Sequence, residues 1–290
     1  MQSFWRSLSA SCLAMVRKML NQFKVVIPAR FGSTRLPGKP LLDIGGQPMI
    51  AHVVARARAS AADEIIVATD DQRIVDVCAG LGVTALLTAT THRSGSDRIA
   101  EVIERCGWDD AQIVVNVQGD EPALPSALIN QVAALLATSA ELGMATLAFP
   151  ITDAAMLFDP QVVKVVTDKN GLALYFSRAP IPWHRDDFAE NMPIQLAATG
   201  GWLRHIGLYA YRAAFLKQFV TWSPAPLEQV ESLEQLRALW CGARISVAIA
   251  DAEPGVGVDT QKIWCEQQRN SLPLEWFSRR ENRAPQAVRG

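Results

Sequence analysis

A chain of 290 residues, 49% hydrophobic and 20% charged, can bury a sizeable core and is by default one large domain. Its formal net charge of -1 creates no global field that would gather nucleic acid or an anionic membrane surface, so phosphate binding must be built locally, for a small substrate. Five scattered cysteines (Cys12, Cys78, Cys106, Cys241, Cys265) without a C-x-x-C pair exclude a zinc ribbon and read as reduced cytosolic thiols, while His52, His92, His184 and His205 show no metal-ligand spacing.

Residues 1–22 are basic and free of acids, with apolar runs too short for a secretory or membrane segment. They read either as an organellar transit peptide or as an upstream extension with Met19 as the working start, and in both cases lie outside the fold. From residue 23 to 268 the pattern is that of one α/β domain, and 269–290, with Arg279, Arg280, Arg283 and Arg289, reads as a mobile tail.

The strand candidates KVVIPA, EIIVAT, VTALL, QIVVNV and MATLAFP are almost continuously apolar, as strands covered on both faces are. Amphipathic helices lie between them: Ile50, Val53, Val54 and Ala57 in 48–60, and Ile99, Val102, Ile103 and Cys106 in 96–106, fall at i, i+3, i+4 and i+7. The alternation predicts a Rossmann-like, mostly parallel sheet. After Pro150 the rhythm changes. QVVKVVTD and LALYFSR flank a Lys169-Asn170-Gly171 turn and predict a hairpin in a β-rich subregion, followed by a long loop over 185–201. LRHIGLYAYR predicts a strand, 227–240 one amphipathic helix and RISVAIA a last strand before a Gly-rich turn.

Chemistry concentrates in VVIPARFGSTRLPGKPLLDIGGQPMI, residues 25–50, where a buried strand ends in a loop carrying Arg30, Arg35 and Lys39. Ligands of open α/β sheets bind at such strand ends, and Gly32 and Gly38 let backbone N–H groups approach phosphate oxygens. A triphosphate is the natural guest of three cations there. The loop has neither a Walker A sequence nor a G-x-G-x-x-G turn, which sets aside common ATPases and dehydrogenases. VVNVQGDEP is a strand ending in Asp120 and Glu121, and PGVGVDT contributes Asp259 from far along the chain. Magnesium takes one or two carboxylates together with phosphates and water, so Asp120 and Asp259 suit a metal held against a triphosphate, with Glu121 a structural neighbour. Ser94 and Asp97 suit the cap of the following helix.

With these segments the chain resembles the sugar nucleotidyltransferases, and within them the 3-deoxy-manno-octulosonate (Kdo) cytidylyltransferases. Beyond the first loop, the resemblance is carried by HRSGSDRIAEV, VNVQGDEPALP, YFSRAPIPW, LRHIGLYAYR, PLEQVESLEQLR and PGVGVDT. It implies transfer of CMP from CTP to Kdo with release of pyrophosphate, in the service of lipopolysaccharide synthesis, by a cytoplasmic, magnesium-dependent homodimer with its interface in 151–220. Arg30, Arg35, Lys39, Asp120 and Asp259 would be catalytic, the last two as metal ligands. Ala29, Ser94, Gly95 and Gln118 would join the three cations around the nucleotide, with Ser94 and Gly95 against the base. Gln118, Arg178, His205, Tyr209, Glu234 and Gln235 would contact the acceptor, with Arg178 the cation for its carboxylate. The alternatives are a cytidylyltransferase for a related keto sugar acid and a nucleotide-binding regulatory protein without activity.

Overall fold

The structure, a computed structural model, describes residues 22–32, 36–188, 196, 201–255, 257 and 258. Arg35, Asp259, both chain ends and most of the 185–201 segment lie outside the described residues. Among those described, no helix is long and apolar enough to cross a membrane.

The sheet is built on β1 (Phe23–Ala29), flanked by β4 (Glu64–Thr69) on one side and β6 (Ile113–Asn116) on the other. Both pairings are parallel. Beyond β4 lies β5 (Thr84–Leu87), while β10 (Leu203–Arg212), β7 (Met144–Pro150) and β11 (Ile245–Ile249) extend the other side. The order is β11-β7-β10-β6-β1-β4-β5, and β10 alone in this row runs antiparallel to its neighbours. The expected hairpin forms as β8 (Lys164–Thr167) and β9 (Ala173–Ser177), with Gly171 at φ 76° in its turn and β8 continuing onto β10. A separate short ribbon joins β2 (Asp43–Ile44) to β3 (Gln47–Pro48).

Alternate residues of β1 explain the continuous apolar strands, because the sheet has a core on each face. Val25 and Ile27 pack with Val53 and Val54 of α1 (Met49–Arg58), Ile74 of α2 (Gln72–Gly80) and Val132 of α4 (Ser126–Ala137). Val26 packs on the opposite side with Ile99 and Val102 of α3 (Gly95–Cys106) and Leu216 of α6 (Ala213–Phe219). Between β7 and β8, α5 (Ala154–Phe158) contributes Leu157 to a smaller cluster with Ile151, Phe188 and Trp202.

The single helix expected over 227–240 is instead two, α7 (Pro226–Glu231) and α8 (Gln235–Trp240). The break is Ser232, which adopts φ 52°, while the Leu233 N–H closes back on the Glu228 carbonyl at 3.1 Å. A serine in that left-handed position gives no glycine punctuation to read. The physical reason for the break is burial: α7 has no buried residue, whereas α8 buries Gln235, Leu236, Arg237 and Ala238, and one straight helix would not turn that face into the core.

Candidate active site

The parallel strands β1 and β4 end in register, Ala29 opposite Thr69, so Arg30 and Asp70 emerge side by side at the C-terminal edge of the sheet. Next to them β6 ends at Asn116 and continues through Val117 into Gln118, Gly119 and Asp120. This edge opens into a cavity of about 260 Å³. Ala29, Arg30 and Lys39 line it from the first loop, Ser94 and Gly95 from the start of α3, and Gln118 and Asp120 from the loop after β6. Seven residues expected from sequence thus meet in one cavity.

Gly119 is forced by packing here. A Cβ at this position would stand 2.9 Å from the Pro28 carbonyl oxygen, so only glycine lets the loop lie this close to β1. Lys39 Nζ donates to Asp120 Oδ2 at 2.6 Å, joining an expected phosphate cation to an expected metal ligand. The Val258 N–H donates to the Asp120 carbonyl at 2.8 Å, which sets Val258 of the PGVGVDT segment against the loop after β6. Gly38 has a different role from the one expected. Its N–H closes the loop on the Phe31 carbonyl at 3.1 Å and is therefore not offered to a phosphate, and its φ of 68° explains why glycine stands there.

At the base of the cavity Ser94 caps α3. Its hydroxyl accepts from the Asp97 N–H at 3.2 Å while the Asp97 carboxylate accepts from the Ser94 N–H at 3.0 Å, which leaves the first-turn region of α3 facing the cavity.

The acceptor candidates form a second group behind this edge. Tyr209 pairs in register with Asn116, and its ring lies 5.2 Å from that of His205. His205 Nε2 is 3.1 Å from the Thr146 hydroxyl, and burial pushes its imidazole down to about 3, so it is neutral near pH 7. Glu234 accepts from Ser96 Oγ at 2.8 Å and lies 3.6 Å from Arg237. Burial pushes its carboxyl up, and the Ser96 hydrogen bond acts against that. Burial also drives Tyr209 well above the ordinary phenol range. Among the described residues, Asn116 Oδ1, Tyr209 Oη and Gln235 Nε2 are buried without hydrogen-bond partners. Their residues are 3%, 7% and 6% exposed, and orphaned polar atoms at such depth are expensive unless something meets them.

Arg178 is not brought into the cavity. Its Nε donates to the Glu231 carbonyl at 2.7 Å and its Nη1 to the Pro160 carbonyl at 2.9 Å, which ties it between the hairpin and α7. Its own carbonyl accepts at 2.6 Å from Lys164, a fully buried ammonium that also donates to the Asp159 and Val162 carbonyls.

Four residues that sequence reasoning did not single out also belong to this edge. His92, Arg93 and Arg98 line the cavity, and Asp70 pairs with Arg98 at 3.0 Å. The signal for Arg98 was present. It precedes Ile99 and stands one turn before Val102, so a charged side chain sits on the buried stripe of an amphipathic helix.

A family described as cytidylyltransferase matches residues 24–245. The chain is 59% identical over 242 residues to a 3-deoxy-manno-octulosonate cytidylyltransferase of Pseudomonas fluorescens, covering 83% of this chain and 95% of the relative. Among solved structures, a CMP:2-keto-3-deoxy-manno-octonic acid synthetase complexed with CTP superposes with a TM-score of 0.76 at 39% identity, covering 86% of this chain and 99% of that one. A cytidylyltransferase from Leptospira borgpetersenii, at 14% identity and a TM-score of 0.55 over 93% of this chain and 99% of that one, shares the fold.

Proposed function

The chain belongs to the cytidylyltransferase family, and from that premise we propose that it transfers CMP from CTP to 3-deoxy-D-manno-octulosonate, releasing pyrophosphate. The anomeric hydroxyl oxygen of the sugar acid attacks the α-phosphorus, the bond from that phosphorus to the oxygen bridging it to the β-phosphate breaks so that pyrophosphate leaves with that oxygen, and the hydroxyl proton passes to solvent. The observation that carries this reading is the cavity at the sheet edge, where a phosphate-loop lysine, the capped start of α3 and the Gln118–Asp120 loop converge.

Each group has a distinct task. Lys39 and Arg30 neutralise the triphosphate and the departing pyrophosphate, and Ser94 and Gly95 hold the base. The sugar lies toward Gln118, on the side of Tyr209, which stands in register with Asn116, and the buried polar atoms of Tyr209 and Gln235 lack partners among the described residues. His205, kept neutral by burial, takes part through hydrogen bonding and not as a charge. Transfer of this kind requires positioning and charge stabilisation, and no general base is assigned.

The oxygen donors fit magnesium. Asp120 stands at the cavity with the segment preceding Asp259 hydrogen-bonded to it, and a hard divalent ion takes one or two carboxylates with phosphates and water. Asp120 and Asp259 would hold the ion, which when bound would supply positive charge at the α-phosphate. Lys39, paired with Asp120 here, would then be free for the phosphates.

A cytoplasmic homodimer is part of the same proposal. Cys78, Cys106 and Cys241 are free thiols, in keeping with a reducing compartment, and Leu174 and Trp183, 62% and 59% exposed, lie within the expected interface segment. The decisive experiment measures pyrophosphate release with four nucleoside triphosphates against a panel of keto sugar acids. Turnover confined to CTP with Kdo is expected. Efficient turnover with another base or another sugar acid would overturn that part of the assignment.

A further inference from the structure

The dipeptide Asp70-Asp71 follows β4, and its two carboxylates do different work. Asp71 caps α2 by accepting from the Arg73 N–H. Asp70 reaches in two directions across the edge of the sheet. Its Oδ1 accepts from the Phe31 N–H at 3.0 Å and its Oδ2 from Arg98 Nη2 at 3.0 Å.

Both partners are anchor points of the cavity. Phe31 follows Arg30 directly, and it is the root of the phosphate loop. Its carbonyl receives the Gly38 N–H, and the Arg73 guanidinium lies 3.5 Å above its ring. Arg98 lies in the second turn of α3, the helix whose start lines the same cavity. Its side chain is 4% exposed, and its other arm donates to the Thr88 hydroxyl, which donates in turn to the Thr69 carbonyl at 2.9 Å. One carboxylate therefore ties the triphosphate wall to the base wall, and the β5 edge braces the tie.

We propose that Asp70 is a positioning residue that fixes the separation between the phosphate loop and the start of α3, and thereby the fit of the nucleotide from triphosphate to base. The proposal rests on the nucleotide reading above. It assigns Asp70 no contact with substrate. The chemistry demands a carboxylate. Both its oxygens face donors, and an amide has one acceptor and one donor, so either orientation of an asparagine sets an NH2 against an N–H.

The test is calorimetric titration of the full chain with CTP, with and without magnesium, alongside thermal unfolding. Asp70→Asn should raise the CTP Kd by about tenfold or more, the loss expected for a hydrogen bond to a charged group. Asp168→Asn is the control. Its carboxylate also accepts main-chain N–H groups, from Asn170 and Leu172 at 2.8 Å, but in the hairpin turn, so it should lower Tm and leave the CTP Kd within about twofold. If Asp70→Asn does not fold, Thr88→Val removes the hydroxyl that holds the other arm of Arg98, and it should weaken CTP binding in the same direction. A reduced Tm with an unchanged CTP Kd, in Asp70→Asn or in the Thr88→Val substitute, would reduce Asp70 to a structural role and overturn the proposal. Failure of the unaltered protein to bind CTP would instead defeat the nucleotide reading.

Discussion

Lys39→Ala separates what the Lys39–Asp120 pair does for stability from what Lys39 does for catalysis. The ammonium lies 2.6 Å from the carboxylate, with side chains 12% and 37% exposed. A pair that open to water contributes on the order of 1 kcal/mol or less. In a chain of this size such a loss lowers Tm by only about 2–4 °C. A preorganised donor aimed at charge that develops in the transition state is worth more, about 2.7–4 kcal/mol, or roughly a hundred- to a thousandfold in kcat. The variant should therefore stay folded, bind CTP more weakly and lose turnover by at least a hundredfold at saturating CTP. Its magnesium requirement should not rise, because removing Lys39 frees Asp120 for the ion. Pyrophosphate release followed across CTP and magnesium concentrations, with a thermal melt of the same sample, reads all four quantities. Turnover within about tenfold of normal at saturating CTP, or a melt that collapses, would refute the reasoning.

Asp120→Asn and Asp259→Asn should each raise the magnesium needed for half-maximal activity and lower turnover even at saturation, since an amide is a poorer ligand for a hard ion. The double variant should be less impaired than the product of the two losses, and strict multiplicativity would mean that the residues serve different sites. Arg178→Ala tests the acceptor role that the sequence resemblance implies and the structure does not bring to the cavity: on that role it should raise the KM for the sugar acid more than that for CTP. It should also lower Tm, because the Pro160 and Glu231 carbonyls lose their donor, and an unchanged acceptor KM with a lower Tm would leave Arg178 purely structural. His205 carries a definite pH sign. Its native pKa of about 3 lies below the unfolded value of 6.5, so as pH falls through that window the unfolded state binds a proton that the native state refuses, and stability declines. His205→Gln should have a shallower fall of Tm between pH 6.5 and 4, and superimposable profiles would contradict the burial argument.

The strands were legible because the sheet is covered on both faces. EIIVAT, MATLAFP and LRHIGLYAYR form β4, β7 and β10 over their whole lengths. The gathering of Arg30, Lys39, Gln118 and Asp120 at one cavity was legible for a related reason, since charged and glycine residues directly after an apolar strand stand at an edge the fold exposes. What sequence concealed was the partners of charge facing inward. The buried stripe marks Arg98 as facing inward, but not its partners, which Thr88 and Asp70 supply from just past the ends of β5 and β4. Lys164 is hidden in the same way. It interrupts an apolar strand, and only the fold reveals the three carbonyls that surround it. The break at Ser232 depends on a positive φ that a serine does not announce.

The antiparallel course of β10 explains how residues nearly a hundred positions apart come to one edge of the sheet. Parallel strands deliver their C-terminal ends to the edge where the nucleotide cavity opens, as β1 and β6 do. A strand inserted antiparallel between β6 and β7 must deliver its N-terminal end there instead. The register makes this concrete: Tyr209 stands opposite Asn116, so the chain before it, including His205, runs on past the end of β6 toward the same edge as Gln118 and Asp120. The break between α7 and α8 brings Glu234 and Gln235 to the same place from the covering layer, with Ser96 of α3 holding the Glu234 carboxylate. Glu234 is thus bonded to the very helix whose start lines the cavity. A nucleotide at the start of α3 and a sugar acid at Glu234 would be joined through the Ser96–Glu234 hydrogen bond, and on the proposed assignment binding of either substrate should lower the Kd of the other in a calorimetric titration.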